Sequence, residues 1–304
     1  MTRRATAAIA RSGATKQSSR MVPDFRERRV TSRDGLSLYL RDYGDALAPR
    51  LPLLCLSGLT RNSADFARLA GRVCGERRVI CPDYRGRGRS DYDPDWRHYE
   101  ARTLLDDIAS VLAALGIARA VVLGTSLGGI LAMGLAAAKP LVVAGAILND
   151  IGPTVETGGL AQILRYISAD RPQPDWPTAA TYLRRSLPFL SFTSDEDWLD
   201  FARATYREGA DGALHFDWDI RLARPLRKAR GAAPDLWPLY RGLGGVPVLA
   251  LRGAASDILS AATFERMARE TPAFVGVTVP GVGHAPSLDE PAAREAVDAF
   301  LARF

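Results

Sequence analysis

Several patterns that would each announce a function class are missing from these 304 residues. There are only three cysteines, Cys55, Cys74 and Cys81, an odd number with no C-x-x-C pair. That excludes a disulfide framework and a zinc site. Cys55 and Cys81 lie inside apolar runs, where a free thiol behaves as a small hydrophobe, so a reducing, cytoplasmic setting is expected. No apolar run approaches the roughly 20 residues that a membrane helix needs; the longest, Ile130 to Ala138, is too short, and no membrane span is expected. No G-K-[S/T] phosphate loop is present. The glycine-rich Asp83-Tyr-Arg-Gly-Arg-Gly-Arg-Ser-Asp91 runs into Asp93-Pro94-Asp95 rather than a helix start, so it reads as a structural turn. No metal-ligand spacing is visible, and neither a metal nor another cofactor is expected.

The surplus of positive charge is local. The formal charge is +6, but Arg3, Arg4, Arg11, Lys16 and Arg20 stand in a leading stretch without acids, and beyond residue 20 there are 35 basic against 34 acidic groups. A nucleic-acid partner therefore loses its main support. Residues 1–24 are expected to be a basic, disordered tail. The competing reading is a targeting peptide, since Arg and Ser without acids is the composition of transit sequences, but no apolar core for secretion is present.

What is present is a core-forming composition, 47% hydrophobic, and strand patterns alternating with helix patterns. Arg28 to Thr31 and Leu36 to Asp42 flank a Ser-Arg-Asp-Gly turn, a hairpin signal. Leu51 to Leu56, Arg78 to Cys81, Val121 to Leu123, Val142 to Leu148, Val246 to Leu251 and Phe274 to Val279 read as buried strands. Helix patterns stand between them, such as Leu104 to Leu115 ending at Gly116. Between residues 153 and 240 the alternation stops. That stretch holds Trp176, Trp198, Trp218 and Trp237, many prolines and short helical patterns, with no convincing buried strand, and is expected to be mostly helical. The organisation expected is a first core part over 25–152, a helical insertion over 153–240 and a second core part over 241–304. Strands alternating with helices imply a mostly parallel sheet that opens on an antiparallel pair.

The stretch with the most chemistry is Gly124-Thr-Ser-Leu-Gly128, between a strand and a helix. G-x-S-x-G in that context is a nucleophile elbow, which exposes the serine Oγ on a strained turn. A serine hydroxyl needs a base, and the base needs an acid to hold its tautomer. Of the three histidines, His284 follows a strand in Val279-Pro-Gly-Val-Gly-His-Ala-Pro286, at the carboxyl end of a strand, where α/β sites are built; His98 and His215 read as ordinary polar residues. For the acid, Asp257 follows the strand ending at Leu251, and the order Ser126, Asp257, His284 is the one this hydrolase class uses. Asp150 competes, because it too follows a strand. Two N–H groups are expected to receive an oxyanion: that of Leu127 at the helix start and that of Leu59 in the loop after the Leu51–Leu56 strand. Arg61 and Asn62 are expected at the surface of a helix start, with contact to a polar substrate group as the alternative.

Ser57-Gly58-Leu59, Asp83 to Ser90, Gly124 to Gly128, Arg252-Gly-Ala-Ala-Ser-Asp257 and Gly283-His284, in this order, resemble the α/β-hydrolase family over about residues 25–304. Many members carry His-Gly where this chain has Ser57-Gly58. The resemblance implies a mostly parallel central sheet flanked by helices, with the insertion as a helical cap over the site. It also implies a metal-independent serine hydrolase of carboxylesterase or lactonase type, acting on a small-molecule ester or lactone. Alternatives on the same fold are a carbon–carbon bond hydrolase of ring-cleavage products and a non-catalytic receptor for a small ligand. Dehalogenases and epoxide hydrolases use a carboxylate where Ser126 stands.

Overall fold

Short apolar runs with side chains alternating between two faces build the centre of the molecule, which the computed structural model describes over residues 23–228 and 234–304. The basic stretch of residues 1–20 lies outside the described residues. β1 (Phe25–Thr31) and β2 (Ser37–Tyr43) form the expected antiparallel hairpin, closed by Gly35 at φ +93 and by the Leu36 N–H on Ser32 Oγ at 2.9 Å. Strands β3 (Leu53–Leu56), β4 (Val79–Pro82), β5 (Ala120–Thr125), β6 (Val143–Asn149), β9 (Val248–Gly253) and β10 (Phe274–Val279) complete an eight-stranded sheet. Its order is β1-β2-β4-β3-β5-β6-β9-β10, antiparallel up to β4 and parallel beyond.

Helices cover both faces. In β3, Leu54 and Leu56 face one apolar cluster and Leu53 and Cys55 the other, as a period of two requires. The first cluster takes α2 (Ala101–Ala114), α3 (Leu127–Ala138) and α9 (Ala261–Glu270); the second takes α1 (Ala67–Val73) and α10 (Pro291–Leu301). Helix α3 is buried nearly all round, so its sequence is small and apolar rather than amphipathic.

Between β6 and β9 the chain leaves the sheet. The insertion comprises α4 (Thr157–Ile167), α5 (Trp176–Ser186), α6 (Asp195–Arg203), the short antiparallel pair β7 (Tyr206–Glu208) and β8 (Leu214–Phe216), and α7 (Ala223–Lys228). It has its own aromatic core, in which Phe216 stacks on Trp218 with centroids 4.0 Å apart. The insertion is mostly helical, as expected, and adds a hairpin whose three-residue strands are too short to register as a period. One expectation needs correction: α8 (Trp237–Arg241) belongs to the core, since Trp237 and Tyr240 join the first cluster and the Tyr240 hydroxyl donates to the Met267 carbonyl at 3.0 Å. The excursion therefore returns before Trp237 rather than at residue 240.

The loop after β4 is the joint between these parts. The Arg85 guanidinium, 1% exposed, lies between Asp34, Asp93 and Asp107 at 2.6–2.8 Å. On the insertion side, the Gly88 N–H donates to the Asp217 carbonyl and the Asp219 N–H to the Gly86 carbonyl, at 2.9 and 2.8 Å. The Asp217 carboxyl sits in this joint with the Asn62 amide at 3.4 Å and Arg207 at 3.7 Å. Burial, reinforced by the nearby Asp83 carboxylate, pushes its pKa up to about 6 from 3.8. A carboxyl whose folded pKa is raised contributes stability at acid pH that is lost as pH rises through the folded value. Asp217→Asn is therefore expected to stabilise the protein at pH 7 by about 1–2 kcal/mol. It should do nothing below about pH 4, so that melting temperatures of the two proteins converge between pH 6 and pH 4. Equal melting temperatures at pH 7 would show that Asp217 ionises there without penalty.

Candidate active site

Ser126 is placed by packing that admits no alternative side chains around it. A Cβ on Gly124 would stand 2.2 Å from the Gly128 carbonyl oxygen, and one on Gly128 would stand 2.0 Å from the Leu56 carbonyl oxygen. Strand β5 and helix α3 can meet only with glycine at both positions. The turn between them holds Ser126 at φ +53, ψ −117, a conformation disfavoured for a side-chain-bearing residue and maintained by the surrounding packing. Its hydroxyl makes no cap bond to the helix; it lies 2.9 Å from His284 Nε2.

His284 comes from the loop between β10 and α10, and its other nitrogen, Nδ1, is 2.8 Å from Asp150 Oδ2. A carboxylate can only accept, so Nδ1 carries the proton and Nε2 presents a lone pair to the Ser126 hydroxyl. Asp150 is fully buried, follows β6 directly and takes φ +54, a second strained residue. Asp257, the residue favoured by chain order, is exposed on the loop after β9, and among the described residues its carboxylate meets no partner. The physical reason lies in the sheet: β6 and β9 are neighbours, in register from Ala146↔Val248 to Asn149↔Leu251, so both strand ends open on the same spot. The Asp150 side chain turns inward there, while the β9 loop offers Asp150 the Gly253 N–H at 2.8 Å and the Ser256 hydroxyl at 2.6 Å.

The other two histidines are elsewhere. His98 Nδ1 meets Asp93 at 3.0 Å, beside Arg85. His215 lies between Asp170 and Asp211 on β8, and its bond to Asp170 raises its pKa. Asp34, Asp93 and His98 are near enough to share an ion, but the Arg85 guanidinium already fills the space between the two carboxylates.

The loop after β3 is a turn, closed by the Arg61 N–H on the Gly58 carbonyl at 3.1 Å. Ser57, at the position where histidine is frequent, donates its hydroxyl to the Arg61 carbonyl at 3.0 Å and braces the same turn. A Cβ on Gly58 would be 3.9 Å from Ser126 Cβ, so this turn approaches the serine, and Leu59 lines the same cavity; Leu127 is the first residue of α3, directly after the serine. One residue behind this turn gave no sequence signal: Arg87, wholly buried, donates Nε to the Leu59 carbonyl at 2.6 Å and Nη1 to the Arg85 carbonyl at 2.9 Å. Burial without a carboxylate lowers its pKa to about 10, still charged at neutral pH. In sequence Arg87 looks like one more loop charge, since its partner is 28 residues away.

Ser126 and His284 open into a cavity of about 680 Å³ between core and insertion. The insertion contributes an apolar wall of Ile163, Tyr166, Ile167, Leu187, Leu190 and Phe201. The insertion tryptophans pack in its own core and do not line the cavity. Arg61, expected at the surface, instead lines the cavity from the core side: it lies over the Phe201 ring at 4.1 Å, paired with Asp65 and donating to Thr205 at 2.5 Å. Asn62 is buried as well, capping the turn through Ala64 N–H and donating to the Ala204 carbonyl across the joint, both at 3.0 Å. Asn149, also missed, ties the site together: its carbonyl accepts the Ser126 N–H at 3.1 Å while its amide donates to Thr125 Oγ1 at 3.1 Å and to the Pro286 carbonyl at 2.8 Å.

Known proteins share this fold. A family model described as "Alpha/beta hydrolase family" matches residues 53–297. The 3-hydroxybutyrate-oligomer hydrolase of Cupriavidus necator is 34% identical over 261 residues, 83% of this chain and 88% of that protein. The 2-(acetamidomethylene)succinate hydrolase of Mesorhizobium japonicum is 31% identical, covering 76% of this chain and 81% of that one. A crystal structure of an α/β hydrolase from Novosphingobium aromaticivorans superposes with a TM-score of 0.87 at 44% identity, covering 93% of this chain and 99% of that chain. The chain belongs to the alpha/beta hydrolase family and is a hydrolase.

Proposed function

We propose that this hydrolase cleaves a small-molecule ester through an acyl-enzyme on Ser126. The observation that carries the reading is the continuous bond from the Ser126 hydroxyl through His284 to Asp150, at 2.9 and 2.8 Å, at the floor of the cavity. His284 Nε2 takes the hydroxyl proton as Oγ attacks the ester carbonyl, and Asp150 holds the resulting imidazolium. The N–H groups of Leu59 and Leu127 receive the oxyanion, the second at the positive end of α3. The imidazolium then protonates the departing alkoxide, and a water deprotonated by His284 releases the acid.

The substrate class draws on the cavity and on a relative. The 3-hydroxybutyrate oligomer named for the C. necator protein is a chain of esters. The apolar part of the insertion's wall, Ile163, Tyr166, Ile167, Leu187, Leu190 and Phe201, suits an acyl or alkyl chain of a few carbons, while Glu196, Asp197, Asp200 and Arg203 make the rest of that side polar. The carbon–carbon hydrolase alternative asks for positive charge in the cavity; of the four arginines lining it, Arg61 is paired with Asp65, Arg68 with Asp197 and Asp289, and Arg203 with Asp200, while Arg41 lies over the Phe25 ring with no carboxylate partner among the described residues.

The test is a panel of esters and lactones of graded acyl length, with one ring-cleavage dienoate, run beside labelling of the wild-type protein by an organophosphonate. Ester turnover and one label per chain, mapped to the peptide holding Ser126, are expected. Binding of panel members without turnover, and no label, would instead describe a receptor on this fold.

A further inference from the structure

We infer that Ser256 is a positioning residue of this site, whose hydroxyl fixes the Asp150 carboxylate against His284; this rests on the reading of Ser126, His284 and Asp150 just given. Asp150 Oδ2 is shared, accepting the Ser256 hydroxyl at 2.6 Å and His284 Nδ1–H at 2.8 Å, while Oδ1 accepts the Gly253 N–H at 2.8 Å. The carboxylate is fully buried, and among the described residues its one ionic partner is His284. A buried charge without a permanent cation depends on its hydrogen-bond donors. Ser256 supplies one of the three.

The direction of the Ser256 proton is forced. Its Oγ accepts the N–H groups of Ile258 at 3.2 Å and Leu259 at 3.1 Å, which occupy both lone pairs. The hydroxyl hydrogen has one acceptor left, Asp150. The loop that carries Ser256 is itself immobilised: the Ser256 N–H closes a turn on the Gly253 carbonyl at 3.0 Å, the Ala254 and Ala255 N–H groups reach the Val279 and Val282 carbonyls at 2.9 Å each, and Arg252 Nε holds the Leu259 carbonyl at 2.8 Å. Ser256 is thus a rigid donor delivered from β9 to an acid on β6. It does not line the cavity, so it has no route to the substrate except through Asp150 and His284.

Removing that donor leaves the carboxylate charge less dispersed, so the Asp150–His284 pair holds its shared proton more tightly. The base then frees itself only at higher pH. The other charged groups on the packed elements are engaged elsewhere: Arg252 of β9 with the Leu259 carbonyl, Asp289 beyond the histidine with Arg68 and Arg72, and Arg61 beside the serine with Asp65. Asp257 of the same loop is exposed.

The experiment compares full-length wild type, Ser256→Ala, Ser256→Thr and Ser256→Cys on p-nitrophenyl butyrate from pH 5 to 9. Ser256→Ala should lose about tenfold in kcat with KM little changed, and the acid limb of kcat/KM should move up by about one pH unit. Ser256→Thr, which keeps the hydroxyl, should return both to near wild type. Ser256→Cys, a weaker donor that still accepts the two N–H groups, should fall between and carries the test if the alanine variant does not fold. An acid limb that stays at its wild-type position in Ser256→Ala or Ser256→Cys, or a threonine variant as impaired as the alanine one, would overturn the inference. Failure of the underlying reading looks different: the wild type would then take no phosphonate label, whatever residue 256 is.

Discussion

Ser126→Ala is expected to lower kcat on the best ester of the panel by about 10⁶ and to abolish phosphonate labelling, with the fold unchanged. The size follows from the loss of the nucleophile in a cooperating set: once Oγ is gone, His284 and Asp150 have no proton to move, and only oxyanion stabilisation and binding remain. The fold should survive because the Ser126 hydroxyl makes no bond to the helix it precedes, and because alanine bears the same Cβ at φ +53 that serine does. The melting temperature should therefore stay within a few degrees of wild type. Steady-state assay and thermal melt together decide the matter. Alanine protein that still turns over at more than about a hundredth of the wild-type rate would remove Ser126 from the chemistry.

Asp150→Asn should cost about 10⁴ in kcat, while Asp257→Asn stays within about twofold. The reason is the donor arrangement around Asp150. An asparagine there must put its one carbonyl oxygen either toward the Gly253 N–H or toward His284. The backbone N–H is fixed, so the oxygen goes to Gly253 and the amide NH₂ faces Nδ1. Nδ1 must then accept, the ring proton moves to Nε2, and Ser126 meets an N–H where it needs a lone pair. Nothing comparable happens at Asp257, which is exposed and out of reach of the imidazole. The opposite ranking of the two variants would return the acid to Asp257.

These two aspartates show where sequence stops informing on this site. Ser126 and His284 could be found because each is marked locally, one by two glycines forced by packing and the other by a strand followed by Gly283-His284. The acid carries no local mark. Asp150 and Asp257 both follow buried strands, and which one turns inward depends on the pairing of β6 with β9, two runs separated by the whole insertion. Chain order favoured Asp257, one strand over in the sheet from the carboxylate that meets His284, although it named the loop that Ser256 occupies. The arginines illustrate the same limit. Arg61 reads as a surface residue, and Arg85 and Arg87 stand in a run that reads only as a structural turn, yet Arg61 is largely covered and the other two are buried, with partners far along the chain: Thr205, Asp34 and Leu59 respectively. The sheet was legible, because buried parallel strands are continuous apolar runs. The β7–β8 hairpin was not, because three residues do not make a period.

The joint between the glycine-rich loop and the insertion limits how this protein can be recombined. Gly86 and Gly88 are bonded to the insertion by main-chain contacts while Arg87 between them braces the turn beside the serine, and at the far end the Gly283 N–H donates to the Phe189 carbonyl at 2.9 Å, one residue from His284. An insertion transplanted from a relative would arrive with its own spacing for both seams. The exchangeable unit is therefore the insertion together with residues 83–91 and the histidine loop, and chimeras cut at the insertion boundaries alone would exchange specificity only by disturbing the machinery beneath.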